Sequence, residues 1–155
     1  MKNFFRLFVL LVLVALMLPV GVFAASSTPA YEPGNIIRFE DGSYIIIELT
    51  SAETRASGTK TGTKTYTYYD NGGTEEWRAV LMGTFTYTGS SATCTASSCS
   101  VTITNTNWYE VSKTASKSGN TATAEVTMGR KWLGITVEKK TVPIQITCDA
   151  NGNMS

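Results

Sequence analysis

The chain contains no histidine. That absence removes the commonest general base, the Ser-His-Asp and Cys-His nucleophile arrangements, and the commonest metal ligand. Proline and cysteine are scarce, at four and three residues, and charged residues make up only 16% of the chain. No apolar period of helical type runs for a dozen residues, which argues against helical bundles and against α/β folds with crossover helices. Beyond the first 24 residues no apolar run of membrane-spanning length returns. Neither sign of charge dominates, with 13 basic and 12 acidic residues. No nucleic-acid partner is expected from so balanced a chain.

Paired carboxylates could still carry glycoside hydrolysis, but Glu75 and Glu76 are neighbours in an extended run and face opposite ways. Glu48, Glu110, Glu125 and Glu138 read as solvent-face residues of strands. Asp149-Ala150-Asn151-Gly152-Asn153 places oxygen donors at alternate positions, yet no glutamate follows to complete a calcium shell, so it reads as an Asn-Gly turn. The expectation is a protein that is not an enzyme, with no catalytic residue, no cofactor and no metal site.

What the chain does contain begins with a targeting segment. Lys2 and Arg6 form a positive n-region, Phe4 to Leu18 an apolar stretch, and Val22-Phe23-Ala24 a small-x-small cleavage site. Residues 1–24 therefore read as a signal peptide cleaved after Ala24, and secretion as the destination. The cut removes two of the 13 basic residues and leaves 11 against 12, so the formal net charge moves from +1 to −1. Residues 25–34, ASSTPAYEPG, read as a loose leader, and 35–155 as a single domain.

An exported protein with three cysteines suggests one disulfide and one leftover thiol. A bridge from Cys94 to Cys99 would close a small ring for about 2 kcal/mol, and one from Cys148 to either would close a loop of about 50 residues for about 4 kcal/mol. Alternation places Cys99 on the face of Val101 and Ile103, and Cys148 on that of Val142, Ile144 and Ile146. Cys99–Cys148 is accordingly the favoured pair, provided those strands are regular.

The domain is organised around Glu75 to Gly89, EEWRAVLMGTFTYTG. Trp77, Ala79, Leu81, Gly83, Phe85 and Tyr87 alternate there with polar or flexible residues, the pattern of a half-buried β-strand. Asp41-Gly42 between two apolar runs predicts a hairpin, and Asp70-Asn71-Gly72-Gly73 predicts a second. Further short strands are expected from Ser100 to Asn105, Trp108 to Ser112 and Thr121 to Met128, and Gly134 to Lys140 with Thr141 to Cys148 as one or two more, Pro143 demoting part of the last to an edge. Ser51 to Gly62 reads as a polar connection, and the run SSATCTASSCS after Gly89 as a loop or a bulged strand end. Such a series predicts an all-β antiparallel sandwich, immunoglobulin-like, with a small closed β-barrel as the alternative.

The most suggestive surface element is Arg130-Lys131-Trp132-Leu133, bracketed by Gly129 and Gly134 and continued by Lys139-Lys140. Its cations suit phosphate or wall polymer, while Trp132 and Leu133 could bury apolar area in an interface. Trp77, Trp108 and Trp132, with Tyr66, Tyr68, Tyr69 and Tyr87, could instead supply a sugar-stacking platform, or simply fill the core.

The segments FEDGSY at 39–44, GTFTYTGSSATC at 83–94, SKSGNTATA at 116–124 and TCDANGN at 147–153 resemble a family of short, uncharacterised secreted proteins of Gram-positive bacteria. The resemblance implies a secreted β-rich fold and transfers no functional residue. The expected role is an extracellular or cell-surface binding module whose partner is a cell-wall polymer, a glycan or a protein. A carbohydrate-binding module and a small bacteriocin-like protein acting by membrane contact are the alternatives.

Overall fold

A computed structural model describes residues 30–31, 35–51 and 58–155. The expected targeting segment and most of the leader lie outside them. The described residues form nine strands: β1 Ala30–Tyr31, β2 Ile36–Arg38, β3 Tyr44–Ser51, β4 Gly58–Tyr69, β5 Glu75–Tyr87, β6 Ala92–Ile103, β7 Trp108–Ser118, β8 Thr121–Trp132 and β9 Ile135–Thr147. β1, within the expected leader, pairs Ala30 with Arg38 and Tyr31 with Ile37.

Two antiparallel sheets result, one in the order β1-β2-β3-β4-β5-β6 and the other β7-β8-β9. They pack face to face as the expected sandwich and do not close into a barrel. The connectivity within it is a plain meander. Sequential strands are neighbours throughout, and the chain changes sheet once, between β6 and β7.

Short turns carry this order. Gly42 N–H donates to Phe39 O at 3.0 Å, Gly73 to Asp70 O at 3.1 Å and Gly152 to Asp149 O at 3.0 Å. Each of these glycines has φ near +80°, the geometry of a tight turn closed by a left-handed residue. Asp149 Oδ1 accepts the amides of Asn151 and Asn153, and Oδ2 the Asn153 side-chain amide. That carboxylate therefore organises its own turn. The chain end is hooked rather than frayed: Thr147 and Ser155 exchange both backbone hydrogen bonds.

β5 is interior to its sheet, and Trp77, Ala79, Leu81, Phe85 and Tyr87 all face the core. From the other sheet Ala122, Ala124, Val126, Met128, Val142, Ile144 and Ile146 meet them. Tyr68 stacks on Trp77 with ring centroids 5.0 Å apart, and Trp108 meets Tyr68 edge-on at 5.2 Å. Pro143 lies on β9, an edge strand, where a missing N–H costs no ladder bond.

β4 extends through a segment whose polarity suggested a connection, and β6 takes up the run expected as a loop or a bulged strand end. β4 includes the GTKTGTKT tandem from Gly58, where Lys60 is buried and donates to Gly152 O at 2.8 Å. β6 begins at Ala92 and carries a bulge. Ala96 pairs with Thr84 but Cys94 with Phe85, so Thr95 is the extra residue. One inserted residue reverses parity, and Cys94 and Cys99 consequently both face inward, opposite Phe85 and Leu81.

All three thiols are free in this structure, so the expected Cys99–Cys148 bridge is absent. Cys99 sits mid-strand within the field of Lys113 and Glu110, whereas Cys148 follows β9 at the level of Asn120. Those two levels are separated by several residues of strand, at about 3.3 Å each, beyond the reach of a disulfide.

Candidate surface-binding site

The β8–β9 hairpin outruns its neighbours. β7 begins at Trp108, which pairs with Arg130, and the last tie from the β6–β7 connection is Lys131 N–H to Asn107 O at 2.8 Å. Past that point two strands continue alone to Trp132↔Ile135, joined by Leu133-Gly134. Trp132 lies on the inward parity of β8, in line with Val126 and Met128. Among the described residues no strand of the other sheet covers that face here, and Trp132 is 64% exposed. Leu133 is 87%, Ile135 69% and Val137 56% exposed.

The turn is built against local preference. Leu133 has φ +49° and Gly134 φ +80°, the pair of positive angles that a two-residue hairpin turn demands. Asn or Gly suits the first position, whereas a leucine there costs about 1–2 kcal/mol. Among the described residues Leu133 is the only non-glycine with positive φ. An apolar side chain is thus held at the apex at a conformational cost, and exposed to water as well.

Cations surround this apex. Arg130 lies 3.7 Å from Glu138 while remaining half-exposed, and Lys139 is exposed. Lys131 Nζ stands 4.5 Å above the Tyr109 ring, and Tyr109 Oη hydrogen-bonds Thr136 Oγ1 at 2.7 Å. The ring lies flat over Gly129, where a Cβ would come within 2.5 Å of it. Arg130, Lys131, Trp132 and Leu133 therefore stand at one projecting end.

Lys140 is not part of that basic surface. It pairs with Met128 on the core face and is buried. Its ammonium lies 2.9 Å from Asp41 Oδ2, 3.1 Å from Glu138 Oε1 and 4.1 Å from the Phe39 ring centre. This ion pair joins the β2–β3 turn to β9 across the sandwich. Burial works against ionisation of Asp41, but hydrogen bonds from Ser43 and Lys140 outweigh it and hold the carboxyl below its ordinary 3.8. A depressed carboxyl stabilises the fold above its unfolded pKa, and that contribution is lost as pH falls through the folded value. Stability of the parent should therefore drop below about pH 4, and Asp41→Asn should flatten that part of an acid-denaturation curve. An unchanged acid limb would show that the pair is energetically idle.

The aromatic platform does not assemble. Trp77, Trp108, Tyr66, Tyr68 and Tyr87 are buried. Tyr69 is half-buried and stacked on Tyr44 at 5.1 Å and 14°, so each ring covers the other. Of the aromatic residues singled out for sugar stacking, only Trp132 is exposed. Among the described residues no group of three or more Cys, Asp or Glu converges in a way that could hold a metal ion.

The exposure of the tip had no decisive signal in the sequence, because the same Trp could have folded back as a lid. Comparison with protein-family models, with curated proteins and with solved structures gives no match.

Proposed function

We propose that the protein is a secreted, non-enzymatic binding module that docks on an anionic lipid surface through the β8–β9 tip. Trp132, Leu133 and Ile135 enter the apolar layer, while Arg130, Lys131 and Lys139 meet the phosphates. The observation that carries this reading is the strained, fully projecting Leu133 between Trp132 and Ile135. An isolated two-stranded hairpin is marginal in water, and apolar side chains at its apex add nothing to the fold. Each would contribute about 2 kcal/mol on leaving water, and each cation about 1 kcal/mol near an anionic surface.

A glycan partner is less well supported, since stacking on sugar needs coplanar exposed rings and the tip offers one indole. The test is co-sedimentation with phosphatidylglycerol vesicles and with phosphatidylcholine vesicles. The parent should bind the former at low salt with a blue shift of tryptophan emission. Arg130→Ala with Lys131→Ala should weaken that binding roughly tenfold, since Glu138 partly neutralises Arg130 and water screens both charges. Failure of the parent to bind, or unchanged binding by the variant, would remove the lipid reading.

A further inference from the structure

At the pole opposite the tip the two sheets come within hydrogen-bonding distance of each other. Cys94 N–H, on β6, donates to Gly119 O in the β7–β8 turn at 2.7 Å. Cys148 N–H, just after β9, donates to the next carbonyl in that turn, Asn120 O, at 3.0 Å. The Asn120 side-chain amide returns a bond to Cys148 O at 2.7 Å. Two residues on, Ala150 O accepts from Gly89 N–H at 2.8 Å, at the entrance to β6. Packed sheets normally stand about 10 Å apart, too far for a cystine unless they converge. Here they converge, and both sulfurs are buried within the same core cluster.

We propose that Cys94 and Cys148 form the protein's disulfide, a clasp between the two sheets, and that Cys99 is the leftover thiol. The two S–H groups lose two protons and two electrons as one S–S bond forms. The electrons reduce a disulfide donor, such as oxidised glutathione or an oxidised dithiol oxidoreductase, to two thiols. Burial pushes the Cys94 and Cys148 thiols up, and on Cys148 Asp149 and the nearby Cys94 add to it. A thiolate is the attacking species in exchange, so the bond forms as the sheets close rather than after they have packed.

The pairing is accessible only because of the β6 bulge. With regular alternation, residues five apart face opposite ways, and Cys94 would point to solvent whenever Cys99 pointed in. Thr95, inserted opposite the Thr84–Phe85 step, cancels that rule. Cys99 lies about 15 Å further along the strand and cannot reach the same corner.

The experiment refolds the full protein in a buffer of oxidised and reduced glutathione, denatures it and alkylates the remaining thiols. One alkyl group per chain is expected, with a non-reduced peptide map joining the Cys94 and Cys148 peptides. Cys99→Ser should keep the bridge and take no alkyl group, and a reductant should lower its melting temperature by roughly 10 °C. The Cys94→Ser/Cys148→Ser variant should show no reductant effect. Three alkylated thiols in the parent, or a bridge that includes Cys99, would overturn the assignment. Vesicle binding should be the same in both redox states, because the clasp and the tip occupy opposite ends of β8, so the clasp and the docking proposal can fail separately.

Discussion

Leu133→Asn is expected to move stability and binding in opposite directions. Asparagine tolerates the left-handed conformation that Leu133 adopts at φ +49°, so the variant should gain about 1 kcal/mol and melt a few degrees above the parent. The same change removes the most exposed apolar side chain of the tip, and binding to anionic vesicles should fall roughly tenfold. Adding Trp132→Ala should bring the loss to at least about a hundredfold, because an interfacial indole and a leucine each contribute about 2 kcal/mol on burial. Melting curves and vesicle titrations of the parent, the single and the double variant measure both effects. If the turn variant is more stable yet binds as well as the parent, Leu133 is an accident of sequence. If it is less stable, the turn is held by something other than local backbone preference.

The opposite pattern is expected at Trp77. This indole is fully buried, stacked at 5.0 Å on Tyr68 and 6.2 Å from Trp108, in the middle of the largest aromatic cluster. Trp77→Ala should cost about 3–5 kcal/mol, made up of lost apolar burial and the cavity left between two sheets. Against a total of about 5–15 kcal/mol, such a loss brings the domain close to unfolding at room temperature. Trp77→Phe should cost much less. It keeps most of the ring and removes an indole N–H that has no hydrogen-bond partner in the core. Urea midpoints of the two variants decide the matter, and near-equal midpoints would mean that the sheets collapse to fill the space. Trp132→Ala supplies the control, since its side chain makes no such core contact and should shift the midpoint little.

The contrast between Trp77 and Trp132 also marks how far the sequence can be read. Trp77 was legible because it stands in a run of six alternating residues, and a consistent period over that length assigns a face to each. The hairpins at Asp41-Gly42 and Asp70-Gly73 were legible for a different reason. Their glycines supply a backbone angle that few other residues tolerate, so the chemistry of the turn is written locally.

Other features depended on partners remote in the chain. The threonine and lysine tandem at the start of β4 has no apolar period, and it is a strand because β5 offers a ladder along all of it and β3 a second one from Gly62 onward. Lys140 looked like part of a basic surface, yet register with Met128 turns it inward, where Asp41, almost a hundred residues earlier, supplies the counter-charge. The inward face of Cys94 depends on a bulge, which is a property of the pairing and not of one strand.

The sequence by itself determined the all-β class, the turns, the core face of β5 and the candidate residues Arg130, Lys131, Trp132 and Leu133. All of these follow from a two-residue period and from local backbone preference. Only the tertiary structure decided which of the three tryptophans meets water, that Lys60 and Lys140 are buried, and which cysteines share a corner. Those outcomes depend on where a neighbouring strand ends and how two sheets are registered, and such distances are set by long-range pairing rather than by any local pattern.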